Sequence, residues 1–289
     1  AVGPHPTCKR KATGKEIIDI LVENYRYGTL KRRLPYSAYF ALEDYLKKEK
    51  IEYKSIDELH NAANDSLKIV FILGESVRAD HMQLNGYHRK TNPLLMDRKD
   101  IISYSKAYTP LTYTAISVPQ ILSSASINED KKKPIFSLID VLNHSEINTY
   151  WIGNQTPEKS YELFIDHSKF HQIMDPFHSE LSFKKAYDEE MLSVFEKKFN
   201  STISEFFTIH MIGSHWWYET RYPSEYRKYN PVIKSKHISS NSRNEMINSY
   251  DNTIVYLDYF INKTIKIIEK SNTNTILIYL SDHGEILGE

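Results

Sequence analysis

The clearest pattern in the chain is a short apolar run that stops abruptly. Ile69-Val70-Phe71-Ile72-Leu73 is uninterrupted and mostly β-branched or aromatic. It is too short for a membrane span and has the composition of a strand buried on both faces. It breaks at Gly74 and is followed at once by Glu75 and Ser76. Similar runs at Ile101–Tyr104, Asn148–Ile152, Glu205–His210 and Thr275–Leu280 are also read as strands. Between them, helical spacing predicts helices over Thr114–Ser123, Ile135–Asn143, Phe183–Phe199 and Ser242–Lys270. In the last of these, Met246, Ile247, Tyr250, Ile254, Leu257, Ile261, Ile265 and Ile268 form one apolar stripe. Strands alternating with helices imply an α/β fold: a mainly parallel central sheet sandwiched by helices.

The first part of the chain has a different texture. Ala1–Gly14 is polar and without period, so it reads as a linker; helices are expected over Lys15–Tyr27 and from Ser37 to about Lys48. The expected organisation is therefore residues 1–66 as a linker with helices, and 67–289 as the α/β domain. That domain ends at Gly288-Glu289, directly after a strand, and reads as cut short at its C-terminus.

Composition narrows the classes. Lys+Arg and Asp+Glu both number 37, so no net charge draws the chain to nucleic acid. The basic clusters Lys9-Arg10-Lys11 and Lys31-Arg32-Arg33 suit solvated faces or anionic headgroups. Cys8 is the only cysteine, which excludes an internal disulfide. No apolar run approaches the roughly 18 residues of a membrane helix. No GxGxxG or P-loop sequence occurs.

Three predicted strands end in groups that could do chemistry. The first delivers Glu75; the strand ending at His210 leads to Gly213-Ser214-His215; the last leads to Ser281-Asp282-His283-Gly284-Glu285. The carboxyl ends of parallel strands share one edge of a sheet, so these groups can converge. Glu, Asp and His together suit Zn²⁺; Mg²⁺ or Mn²⁺ fit less well once imidazole takes part. Thr114, at the start of a predicted helix, lies where backbone N–H groups favour an anion such as a phosphate. Thr112 or Thr114 can equally serve as the cap of that helix.

Five motifs occur in order: GESVRADHMQLNGYHRKTNP, TYTAISVP, HMIGSH followed by RYPSEYRKY, SYDNTIVYLDYF, and YLSDHGEILGE. In these the chain resembles the phosphoethanolamine transferase family from about Arg32 to Glu289. Those enzymes are membrane-anchored and carry a sulfatase-like (alkaline phosphatase-type) periplasmic domain. The resemblance implies that Glu75 binds zinc, that Asp282 and His283 complete the zinc site, and that Thr114 is both a ligand and the nucleophile that becomes phosphothreonine. It implies that His215 contacts the phosphoryl group or a second metal, with Thr112 the runner-up nucleophile. The implied donor is phosphatidylethanolamine, and the implied acceptor is lipid A or another surface glycan. The intact protein is then expected in the bacterial inner membrane, with this domain in the periplasm.

Some positions depart from the family. Pro110 and Gln120 stand where many members have a disulfide, so packing is expected to hold the loop. Trp216-Trp217 replaces Gly-Pro; the indoles either touch lipid or acceptor, or pack on Tyr218 and Tyr222. The family's transmembrane helices and a later His are missing, so incomplete zinc binding and weak activity or none are expected of this stretch alone. A true sulfatase would need a formylglycine motif, which the surroundings of Cys8 and Ser117 do not provide. A phosphoglycerol transferase, a phosphodiesterase or an inactive lipid-binding remnant of the same fold remain as alternatives.

Overall fold

The computed structural model describes residues 67–126, 135–174, 186–199, 203–271 and 273–288. The expectations for residues 1–66, including the two helices and both basic clusters, lie outside this set. Among the described residues, five strands form one parallel sheet: β1 (Lys68–Gly74), β2 (Asn148–Gly153), β3 (Phe170–Ile173), β4 (Glu205–His210) and β5 (Thr275–Ser281). Their spatial order is β3-β2-β4-β1-β5, so the chain leaves β1, builds outward on one side, fills the central place with β4 and ends on the far side of β1. The described α-helices around the sheet are α1 (Pro93–Met96), α2 (Thr114–Ile121), α3 (Leu138–His144), α4 (Glu162–Asp166), α5 (Glu190–Lys198) and α6 (Arg243–Ser271).

The alternation of side chains along a strand divides the core in two. Val70, Ile72, Phe207 and Ile209 pack toward Met191, Phe195, Tyr250, Ile254 and Phe260 of α5 and α6. Phe71, Leu73, Phe206 and Trp151 pack toward Val118, Ile139, Phe164 and Ile165 of α2, α3 and α4. The sandwich read from the sequence is thus the fold, with β1 covered on both faces. The register Lys68↔Glu205 through Leu73↔His210, together with Leu73↔Leu280 and Gly74↔Ser281, levels the ends of β4, β1 and β5. The residues just beyond these three strands are therefore delivered to a common rim.

Some elements differ from expectation. Residues 101–104 form no strand, and Ile102 and Tyr104 are 79% and 75% exposed. Both neighbours of β1 are already β4 and β5, so this short run has no central place to pair. β3 is not foreseen, because Phe-His-Gln-Ile is short, mixed and at the edge. α3 begins only at Leu138, since the Ser137 hydroxyl accepts from the Asp140 amide. The part of the Phe183–Phe199 expectation that falls on 183–185 lies outside the described residues. The described remainder is helical from Glu190 to Lys198.

α6 is helical almost as expected, opened by a reciprocal cap. Ser242 N–H donates to Glu245 Oε2 at 2.8 Å, and Glu245 N–H donates to Ser242 Oγ at 3.3 Å. Its polar side is buried too. Asp251 accepts from Tyr87 and Arg89 and pairs with His81; Asn252 accepts from the amides of Lys228 and Tyr229. Asp258 accepts from the amides of Leu94 and Leu95, in the first turn of α1. The helix therefore also organises the loops around it. Among the described residues no helix is long and apolar enough to cross a membrane.

Charge is buried at the amino end of the sheet. Lys68 Nζ lies 3.1 Å from Glu205 Oε2, their side chains 1% and 0% exposed. Tyr150 donates to the other Glu205 oxygen at 2.9 Å, and the ammonium sits over the Phe199 ring. At the other end of β4, His210 is buried edge-on to Trp151 and Tyr161, and burial pushes its pKa down to about 4.

These two buried groups set measurable stabilities. Lys68→Met leaves a buried carboxylate without its partner and costs about 3–5 kcal/mol, while adding Glu205→Leu restores most of that. Denaturant titration of both variants checks this; a double mutant no more stable than the single rejects it. For His210, the unfolded chain takes up a proton near the ordinary value of 6.5 and the folded chain only near 4. The stability of the neutral ring is complete above pH 6.5 and is lost as pH falls through about 4. Its full contribution is about 3 kcal/mol. His210→Phe should therefore lose less stability than the parent between pH 7 and pH 4 by that order, measured by denaturant melts at each pH.

Candidate metal centre

Glu75 is the first residue beyond β1 and is 1% exposed. Its carboxylate is heavily bonded. Oε1 accepts from Ser76 Oγ at 2.7 Å, and Oε2 accepts from Thr114 Oγ1 at 2.8 Å and Gln155 Nε2 at 2.9 Å. Burial opposes the charge. The hydrogen bond from His283, the nearby His215 and His283 charges and the Ser76 hydroxyl outweigh it, holding the pKa far below the usual carboxylate range.

The backbone here tolerates few residues. A side chain at Gly74 would run into the Tyr279 ring. Ser76 has φ +59°, a left-handed conformation that costs a non-glycine residue about 1–3 kcal/mol. Three hydrogen bonds hold it: its amide donates to Asp282 Oδ1, its carbonyl accepts from Tyr250, and its hydroxyl reaches Glu75. Gly213, with φ +48°, passes so close to the Glu75 backbone that a Cβ would sit 2.9 Å from the Glu75 carbonyl oxygen. Buried Asp188 fixes that turn by accepting from the Ile212 and Gly213 amides, each at 3.0 Å.

Asp282 and His283 arrive from β5. Asp282 Oδ1 accepts from the Ser76 and His283 amides, while its buried Oδ2 has no hydrogen-bond donor. His283 Nδ1 donates to the Gly284 carbonyl at 2.6 Å, which turns Nε2 inward. Nε2 lies 3.3 Å from Glu75 Oε1 and 3.4 Å from Asp282 Oδ2. Ligand atoms of Glu75, Asp282 and His283 all lie within 4.8 Å of one another. Burial and the Glu75 anion push Asp282 up to about 7. For His283, burial is overcome by the Glu75 bond and the Asp282 charge, which raise it to about 9. An undonated buried carboxylate oxygen beside an inward imidazole nitrogen and a second carboxylate is a donor set that fits Zn²⁺.

Thr114 opens α2 but does not cap it. The cap position is Tyr113, no side chain caps the helix, and the Thr114 hydroxyl points at Glu75 instead. Thr112 is exposed. The loop before α2 is exposed from 102 to 110, so the packing expected around Pro110 is not found there. His215 is exposed; its Nδ1 donates to the Trp216 carbonyl, leaving Nε2 free of that bond. Arg221 backs this loop by donating to the carbonyls of His215 and Trp216. His210, at the end of β4, stays in the core.

A cleft of about 240 Å³ opens over these groups, lined among others by Glu75, Thr114, Glu158, His215, Trp216 and His283. Trp216 packs edge-on to Trp217 and Tyr218, the packing role considered for the indole pair, and also borders the cleft. Sequence reasoning misses Ser76, Gln155 and Glu158. Gln155 lies beyond β2 just as Glu75 lies beyond β1, and the strand-end argument applied there would have found it. Nothing in the sequence signals the left-handed Ser76.

The chain is similar to proteins already known. The profile of the family described as Sulfatase matches residues 68–289. Phosphoethanolamine transferase EptA of Escherichia coli (strain K12) is 31% identical over 227 residues, covering 76% of this chain and 41% of that protein. The chain thus spans well under half of that curated relative. The soluble domain of lipooligosaccharide phosphoethanolamine transferase A from Neisseria meningitidis superposes with a TM-score of 0.73 at 28% identity, over 82% of this chain and 74% of that one. The C-terminal periplasmic domain of EptC from Escherichia coli, in complex with Zn, gives 0.67 at 26% identity, over 78% and 66%.

Proposed function

The chain belongs to the sulfatase family, and on that premise we propose that it is the catalytic part of a zinc-dependent phosphoethanolamine transferase. The proposed protein is held in the bacterial inner membrane and works in the periplasm. It moves phosphoethanolamine from phosphatidylethanolamine to lipid A or another surface glycan. The observation that carries this reading is the Thr114 hydroxyl, which is spared from capping and bonded to Glu75 beside Asp282 and His283. The names and folds of the relatives support it, including the zinc complex of one of them.

Glu75, Asp282 and His283 would hold the zinc, with the Thr114 hydroxyl beside it. When bound, it supplies positive charge that favours the ionised hydroxyl and offsets charge building on the phosphoryl oxygens. The residues do the rest. Thr114 Oγ1, oriented by its 2.8 Å bond to Glu75 Oε2, attacks phosphorus and gives up its proton. The bond from phosphorus to the diacylglycerol oxygen breaks, and that oxygen leaves with the proton that Thr114 released. His215 Nε2 meets a phosphoryl oxygen, and the opening turn of α2 faces the same anion. In the second step an acceptor oxygen attacks phosphorus, and the phosphorus–Oγ1 bond breaks to restore the threonine.

After incubation with phosphatidylethanolamine, the full-length protein should carry phosphoethanolamine on the peptide containing Thr114. Thr114→Ala should lose at least about a thousand-fold in transfer rate while keeping the parent's fold by circular dichroism. Transfer by that variant at the parent rate rejects the mechanism. Zinc at 100 times its dissociation constant should stabilise the parent by about 2.7 kcal/mol. Glu75→Ala and Asp282→Ala should lose this gain and bind less zinc by elemental analysis. Unchanged stoichiometry removes the altered residue from the site.

A further inference from the structure

The cleft carries more acid than a metal site requires. Besides Glu75, both Glu158 and Glu285 line it. Glu285 is already engaged: its Oε1 accepts from the Ile286 amide at 2.8 Å. Glu158 is different. Its backbone carbonyl accepts from the Tyr161 and Glu162 amides, which fixes the turn entering α4. Its carboxylate has neither a salt bridge nor a hydrogen bond among the described residues. Burial and the Glu75 anion both push its pKa up, and His215 counters them.

Such a carboxylate is unfavourable in a site for phosphodiesters. The donor phosphate is an anion, and a free acid on the wall repels it. The conflict disappears if the donor brings its own cation. An ethanolamine headgroup carries a primary ammonium two carbons from the phosphate oxygen. The cleft, at about 240 Å³, is smaller than the roughly 300–1,000 Å³ of drug-sized pockets, so it suits a headgroup and not acyl chains. Trp216 adds an aromatic ring to its lining, the side chain that best complements an ammonium.

We propose that Glu158, with Trp216 in the same cleft, receives the primary ammonium of the donor headgroup and sets selectivity for ethanolamine over uncharged headgroups. This rests on the transferase reading above and adds to it the residue that chooses the headgroup. The ion pair orients the phosphodiester so that phosphorus lies toward Thr114, and Glu285, already bonded, has no part in it.

The test uses the full-length zinc-loaded protein and two soluble esters. One is p-nitrophenyl phosphoethanolamine; the other is p-nitrophenyl propyl phosphate, in which a methyl group replaces the ammonium. The parent should favour the first in kcat/KM, chiefly through KM. Glu158→Gln should reduce that preference about two- to five-fold, the scale of one exposed ion pair. Glu158→Asp, which keeps the charge, should retain most of it. Circular dichroism of the variants should match the parent. A parent-like ratio in Glu158→Gln, or an equal loss on both esters, overturns the assignment and leaves the transferase reading standing. A parent that turns over neither ester and carries no label on Thr114 overturns the transferase reading, and this inference with it.

Discussion

The structure depends on keeping one carboxylate charged where water cannot reach it. Glu75 stands at the end of β1, inside the sheet, and an unassisted anion there would take up a proton or unfold its surroundings. Donors from four parts of the chain prevent this: Ser76 next to it, Thr114 from α2, Gln155 after β2 and His283 after β5. Each is useful only if its own element is in register. The anion therefore acts as a checkpoint for the fold, since a shift of one strand would withdraw a donor. The left-handed Ser76 shows how tightly this is drawn, because its strain persists only under bonds from Asp282, Tyr250 and Glu75.

Much of this layout can be read along the chain. β1, β2, β4 and α6 are legible because long or dense apolar patterns have few alternatives. The parallel α/β sandwich emerges from their alternation. The meeting of Glu75 with Asp282 and His283 is legible for the same reason, since parallel strands end on one rim. The failures are local and physical. Ile101–Tyr104 has the composition of a strand, but pairing depends on a vacancy in the sheet, and β1 has none. Phe170–Ile173 has a poor pattern, yet it pairs because β2 has a free edge. The apolar stripe of α6 is visible in the sequence, but not the burial of its polar side. Asp251, Asn252 and Asp258 look like solvent-facing residues until the loops that donate to them are in place.

The motifs divide along the same line. Within the first one, Glu75 and Ser76 face the cleft or its floor. His81, Tyr87 and Arg89 converge on Asp251 of α6, well inside the scaffold. The segment Arg221–Tyr229 likewise serves α6 and the His215 loop, through Arg221, Lys228 and Tyr229. A motif that is continuous in sequence can thus hold one chemical residue and several that only position the elements around it. Sequence cannot separate the two kinds, because Asp, His, Arg and Tyr serve both.

The two ends of the sheet treat buried charge in opposite ways, and this bears on what the rim is for. At the amino end, Lys68 and Glu205 cancel within one pair in the same register row. That arrangement is complete and leaves nothing to bind. At the carboxyl end, Glu75 and Asp282 share a single imidazole, so at most one of two negative charges is neutralised by His283. The raised pKa values of Asp282 and His283 express that shortfall as a hold on protons. A divalent cation would cancel both carboxylates while leaving the imidazole neutral, as a ligand must be. Glu158 would then remain an uncompensated acid of the cleft wall, a surplus that a cationic headgroup can match and an anionic or uncharged one cannot.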